Sequence, residues 1–190
     1  MKFEDTTIAG VKIVTPDLLA DERGFFARTW CGQESSALGV PANIVQASIS
    51  HNLRAGTLRG MHFSWMPSNE FKLVRCEQGR IYDVVIDLRP DSPSYARHFA
   101  IELSAKERTA LLIPPGVAHG FQTLAPKSDV LYMMTDYYRA ELADGVRFDD
   151  PAFNVRWPRR VTTIIERDRS YRDFNTLEHR RKFERAMAAA

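Results

Sequence analysis

Cysteine is scarce. Cys31 and Cys76 are the only two in 190 residues, too few and too far apart for a disulfide framework or a zinc cluster, and such usage fits a reducing compartment. No uninterrupted apolar run reaches the ~18 residues that a membrane helix requires. The opening MKFEDTTIAG lacks the apolar core of a secretory leader, so a cytoplasmic protein is predicted. Repeats and low-complexity segments are absent. Charge of one sign is lacking too: the net charge is +2, with nine Lys/Arg against five Asp/Glu from Pro158 onward and 17 against 19 before it. A near-neutral body with a basic tail reads as a solvated helix face and argues against a nucleic-acid partner. Hydrophobic residues make up 44% and aromatics 11%. A chain of this size buries roughly 70% of its unfolded surface, enough for one domain without a disulfide or structural zinc.

The middle of the chain reads as short strands. Val45, Ala47 and Ile49 alternate with polar neighbours in VQASIS, and Phe99, Ile101 and Leu103 do so in HFAIEL. KLVRC, RIYDVVIDL, RTALLIP and DVLYMMT are runs of strand length rich in β-branched or aromatic residues, separated by turn signals at 54–56, 77–79, 89–94 and 114–116. Short strands without alternating helices predict an antiparallel sandwich or barrel, not a βαβ fold. Only two helices are predicted: a short one over 33–38, and one beginning near Asn175, where Asn175 and Glu178 form a capping box. The expected organisation is one domain over 1–172 and a basic helical tail over 173–190, packed outside the barrel or at an interface.

In PPGVAHGF, at 114–121, two prolines and a glycine fix a tight turn, after which a strand resumes with His119. The Pro-x-Gly-x-x-His pattern resembles the second signature of the cupin jelly roll, a small all-β barrel with its active site inside. Metal centres of that superfamily use a His-x-His pair and a carboxylate from the first motif, where this chain offers only His62, followed by Phe63 and Ser64. A catalytic metal usually takes three protein ligands, and His62 with His119 is one short unless Glu70 or Asp83 is recruited. No metal is expected, and a metal-dependent cupin enzyme is the second reading.

DERGFF at 21–26, QASIS at 46–50, GTLRGMHF at 56–63, the run from Phe71 to Tyr95, IPPGVAHGFQTL at 113–124, VLYMMTDYY at 130–138, FDDP at 148–151, RWP at 156–158 and ERDRSY at 166–171 follow one another in this order. In order and spacing they resemble the dTDP-4-dehydrorhamnose 3,5-epimerase family over about residues 8–172. The resemblance implies a cofactor-free cupin acting on nucleotide-linked 4-keto-6-deoxy sugars. It also implies a homodimer in which Arg23 and its neighbouring phenylalanines, Phe25 and Phe26, reach the nucleotide in the partner's site.

The chemistry is argued on its own terms. A ketone at carbon 4 acidifies the hydrogens on carbons 3 and 5. Inverting either centre takes a base on one face, a proton donor on the other, and positive charge near the forming enolate. His62 is the natural base, since an unperturbed imidazole titrates near ~6.5. The resemblance assigns Asp168 to orient it, Lys72 to the enolate oxygen, where a fixed ammonium in a dry barrel counts far more than in water, and Tyr132 to the opposite face. Arg23 and Arg59 suit the diphosphate, because guanidinium matches phosphate oxygens bidentately. Gln46 suits the sugar or ribose, Tyr138 also belongs to the substrate-binding set, and His119 with Asp83 resembles the site's supporting pair.

Each assignment has a plainer rival. Lys72 in a strand commonly faces solvent, Tyr132 alternates with Val130 and Met134 as a core aromatic would, ERDR reads as a solvated mixed-charge stretch, and Phe25 and Phe26 suit a core. Strand parity places Lys72, Val74 and Cys76 on one inward face and Asp83, Val85 and Asp87 on another. Arg59 and His62 have opposite parity, so both reach the interior only if Gly60 carries a bulge or one sits at the barrel mouth. The chain departs from the family pattern at Arg28, Ser48, Ser64 and Ile165, which leaves the nucleotide and the number of inverted carbons open. A ketoisomerase and a non-catalytic sugar-binding cupin are the further alternatives.

Overall fold

The strand-length runs pair as the sequence predicts. A computed structural model describes residues 1–188 of the chain. Its elements are β1 (Lys2–Asp5), β2 (Lys12–Thr15), β3 (Leu18–Asp21), β4 (Gly24–Ala27), α1 (Gly32–Ser36), β5 (Gln46–Asn52), β6 (Leu58–Ser64), β7 (Lys72–Gln78), β8 (Arg80–Asp87), β9 (His98–Ser104), β10 (Ala110–Ile113), β11 (Val117–Thr123), β12 (Ser128–Met134), β13 (Ala143–Gly145), α2 (Glu166–Arg169) and α3 (Thr176–Ala188). A six-stranded sheet runs β1-β2-β10-β7-β12-β5, a five-stranded sheet runs β13-β6-β11-β8-β9, and β3 with β4 forms a separate hairpin. Strand pairs in both large sheets are antiparallel. This is the expected all-β barrel of two facing sheets.

Period-2 alternation decides what lies between the sheets. Val74, Cys76, Leu111 and Val130 of the first sheet meet Ile81, Val85, Leu103, Val117 and Phe121 of the second in one buried cluster, and Phe99 and Ile101 pack against it. The intervening positions of the second sheet, Met61, Phe63, Val84, Ile86 and Ala118, form a second cluster on its outer face, covered by Phe153, Phe174 and the α3 residues Phe183 and Ala186. The tail helix therefore packs outside the barrel. Asn175 caps it as expected, its Oδ1 accepting the Leu177 and Glu178 N–H groups at 3.0 and 3.1 Å. Lys182 ties it to Asp144 at 2.7 Å. Burial, with Lys182 beside it, pushes the His179 imidazole down to about 4, so the ring packs uncharged among aromatics. Residues 189 and 190 of the predicted tail lie outside the described residues.

The parity conflict is resolved at Gly60. His119 on β11 pairs with His62, and Phe121 pairs with Arg59, so Gly60 and Met61 together stand opposite the single residue Gly120. The extra residue restores phase, and Arg59 and His62 both face inward while Met61 and Phe63 keep the outer cluster. Gly60 has φ of +119°, and a Cβ there would lie 2.5 Å from Gly120 Cα and 2.8 Å from the His119 carbonyl oxygen. Only glycine fits this close approach of two strands.

Three features go beyond what the sequence pattern shows. The β5 strand forms, but its apolar residues do not enter the core. Tyr132 of β12 stands opposite Ser48, and Ser48, Ile49 and Ser50 line the cavity instead, with Ile49 64% exposed. ERDR, whose plainer reading is a solvated face, forms a third helix, α2, with Asp168 1% exposed. The pattern also gave no sign of β1 to β4, which are four residues each, too short for alternation to register.

Candidate active site

A cavity of about 720 Å³ opens between the two sheets. The five-stranded wall supplies Arg59 and His62 from β6 and His119 from β11, and the six-stranded wall supplies Lys72 from β7 and Tyr132 from β12. Asp168 on α2 and Tyr138 in the segment after β12 also line it. Seven of the residues singled out from sequence thus converge from five elements and a connecting segment.

His62 and Asp168 are 106 positions apart, yet Nε2 of the imidazole lies 2.7 Å from Asp168 Oδ1. The Gly60 N–H donates to Asp168 Oδ2 at 3.1 Å, and Arg167 Nε donates to Oδ1 at 3.2 Å. The bulge therefore serves twice, turning His62 inward and offering a backbone donor to the carboxylate behind it. Burial alone would push the Asp168 carboxyl up. The bonds from His62, Gly60 and Arg167 outweigh burial and hold it below its usual value. Its carboxylate contributes stability above the ordinary carboxylate pKa, and that contribution is lost only as pH falls through the lower folded value. With Nε2 donating to Asp168, Nδ1 is the imidazole nitrogen left to accept a proton.

Tyr132 faces His62 from the other sheet. Its ring meets the His119 ring edge-on, with centroids 5.8 Å apart. Burial pushes its phenol well up, the Asp83 charge adds to this, and Arg59 opposes it; the hydroxyl holds its proton throughout the neutral range. His119 Nε2 lies 2.8 Å from Oδ1 of the fully buried Asp83. Asp83 thus lies between the sheets next to the cavity, supporting a lining residue. Lys72 Nζ pairs with Glu70 Oε1 at 2.8 Å, and Arg59 Nε donates to Asn52 Oδ1 at 2.8 Å. Each imidazole has its own carboxylate, and among the described residues no three His, Cys, Asp or Glu side chains are grouped to hold a metal ion.

Other candidates are placed differently. Gln46 Oε1 accepts the Tyr138 N–H at 2.6 Å and so fixes the segment carrying that tyrosine. Arg23 and Phe26 are not brought to the cavity of their own chain. They lie on the β3–β4 hairpin, Arg23 paired with Asp21 and Phe26 71% exposed. Of the four departures from the family pattern, Ser48, Ser64 and Ile165 line the cavity; Arg28 approaches Glu34 at 3.9 Å. Sequence reasoning passed over Arg167 and Tyr171, which line the cavity beside Asp168, because only the α2 turn reveals which side of ERDRSY faces in.

The family model described as dTDP-4-dehydrorhamnose 3,5-epimerase matches residues 5–176. A dTDP-4-dehydrorhamnose 3,5-epimerase of Sinorhizobium fredii is 36% identical over 171 residues, covering 90% of this chain and 88% of that protein. Among solved structures, the enzyme of that name from Bacillus anthracis, with TDP and PPi bound, is 38% identical with a TM-score of 0.84, covering 91% of this chain and 99% of that one. The dTDP-6-deoxy-D-glucose-3,5-epimerase of Legionella pneumophila, in complex with dTDP-4-keto-L-rhamnose, is 32% identical with a TM-score of 0.81, covering 88% and 89%.

Proposed function

From a chain that belongs to the dTDP-4-dehydrorhamnose 3,5-epimerase family, we infer an epimerase that inverts one or both carbons flanking the keto group of a dTDP-4-keto-6-deoxy sugar. The observation that carries the reading is that a carboxylate-held imidazole and a protonated phenol face one cavity from opposite sheets. That is the arrangement inversion requires. His62 Nδ1 takes the proton from the carbon beside the ketone, and the electron pair moves onto the carbon-4 oxygen, where the Lys72 ammonium meets the enolate. Tyr132 then gives its proton to the other face of the same carbon. The imidazolium and phenolate left behind return to their starting states by exchange with solvent. Asp168 stabilises the imidazolium while it exists, and no electron leaves or enters the sugar, so the cycle balances without a redox cofactor.

Arg59 at the wall and Arg23 from a partner subunit supply the diphosphate contacts in this reading. Support for the dimer comes from the apolar surface that a single chain leaves open on the β3–β4 hairpin: Leu18, Leu19, Phe25 and Phe26 are 49%, 66%, 48% and 71% exposed. An area of this character is expected to be covered by a second copy. Light scattering at micromolar concentration should give the mass of two chains; a single-chain mass with full activity would remove the shared site. Among the described residues no helix is long and apolar enough to cross a membrane, and both cysteines are free, which suits a reducing compartment such as the cytoplasm.

The test is conversion of dTDP-4-keto-6-deoxyglucose by exhaustively chelated protein, read by the ring proton couplings of the product. Inverted couplings at carbon 3, carbon 5 or both are expected. Loss of activity on chelation with recovery in added divalent ions would transfer the reaction to a metal-dependent cupin. A carbonyl moved to carbon 3 would make it a ketoisomerase.

A further inference from the structure

Glu70 enters the cavity from the connection between β6 and β7, and its placement follows from the backbone. Residues 70 and 72 are two apart on an extended chain, so their side chains leave on the same side while Phe71 turns to the opposite side and packs in the outer cluster with Leu73 and Leu112. The residue between them is pinned at both backbone polar groups: the Phe71 N–H donates to Thr135 Oγ1 at 2.9 Å, and the Thr135 N–H donates to the Phe71 carbonyl at 3.1 Å. Just before it, Ser68 Oγ and the Asn69 N–H donate to Asp136 Oδ2 at 3.2 and 3.3 Å. Glu70 is therefore held by a fixed stretch of chain and is not a rim residue that can swing away.

The other cavity carboxylates are committed elsewhere. Asp168 is taken by His62, Gly60 and Arg167, and Asp144 by Trp65 Nε1 and Lys182 Nζ, both at 2.7 Å. Glu70 has Lys72, at 2.8 Å, with the two side chains only 9% and 17% exposed. A lysine side chain has four rotatable carbons and, unpartnered, samples many rotamers. Stabilising an enolate demands an ammonium already aimed at the oxygen when its charge develops. We propose that Glu70 is the positioning residue for Lys72: its carboxylate accepts one N–H of the ammonium and so points the remaining two toward the carbon-4 oxygen. This rests on the epimerase reading for the role of Lys72.

Three single variants, one double variant and two readouts test it. Glu70→Gln keeps an acceptor oxygen at the same reach, whereas Glu70→Ala removes it. Misaiming a catalytic group by about 1 Å costs on the order of 10²-fold. Glu70→Ala is therefore expected to lower kcat by roughly 10- to 100-fold with KM within about threefold of native, and Glu70→Gln to restore kcat to within about threefold. Lys72→Ala should lower kcat at least as far, and adding Glu70→Ala to it should cost little more. Native kcat in Glu70→Ala, or equal losses in Glu70→Gln and Glu70→Ala, would overturn the proposal. The second readout needs no turnover. Reductive methylation of Lys72, followed by peptide mass spectrometry, should run several-fold faster in Glu70→Ala than in the native protein, with matched circular dichroism confirming that both are folded. If the native protein forms no epimer, the epimerase reading fails while the labelling still reports on the pair. If it forms epimer and labelling is unchanged in Glu70→Ala, the positioning role fails alone.

Discussion

His62→Ala is expected to yield sugar with no solvent deuterium at carbon 3 or carbon 5 after incubation in deuterated water. The expectation follows from where the free nitrogen is. Nε2 is bound to Asp168, so Nδ1 is the base, and alanine leaves nothing on that wall to take the carbon-bound proton. His119, the other imidazole in the cavity, is tied to Asp83 through Nε2 and is 5% exposed. Losing a general base typically costs 10²–10⁴-fold, and both exchange and inversion depend on this first step, so they should fall together. The fold should survive. His62 is half-buried on the cavity side, and the outer cluster is made by its neighbours Met61 and Phe63. Persistent exchange at either carbon in His62→Ala would assign the base to another residue.

Tyr132→Phe should separate what His62→Ala abolishes as one. Proton removal needs the base and the enolate stabiliser, both still present, so deuterium should enter the substrate with its stereochemistry unchanged. Completing the inversion needs a proton on the far face, and epimer formation should fall by roughly 10²–10⁴-fold. Phenylalanine keeps the edge-on contact with the His119 ring, so a loss of this size would report the hydroxyl and not the packing. Inversion at the native rate would make Tyr132 a packing residue and pass the donor role to Tyr138, which lines the same cavity and is 60% exposed.

Much of this site is legible in the sequence because its residues sit on strands, where parity alone states what faces in. Lys72 with Val74 and Cys76, Asp83 with Val85, and Tyr132 with Val130 all obey it. Parity failed where the backbone broke phase. Arg59 and His62 looked incompatible until the register placed two residues opposite Gly120; the sequence could flag the conflict at Gly60 but not choose its solution. At β5, a sheet-edge strand, alternation marked the strand but not its buried face: Ser48, Ile49 and Ser50 all line the cavity, and Ala47 and Ile49 are exposed. Asp168 was found only through the resemblance, because a four-residue helix is too short to show a periodic face. Glu70 was weighed as a metal ligand, and only its bond to Lys72 gives it a different partner.

The most direct measurement is position-resolved deuterium content, by NMR and mass spectrometry, of dTDP-4-keto-6-deoxyglucose and its product recovered from the native enzyme in deuterated water. Deuterium at carbon 3, carbon 5 or both, accumulating with the inverted product and absent from every other ring carbon, is the predicted result. Inverted product that retains the original hydrogens, or bound sugar recovered without exchange, would contradict proton abstraction by His62 and the enolate on which the account rests.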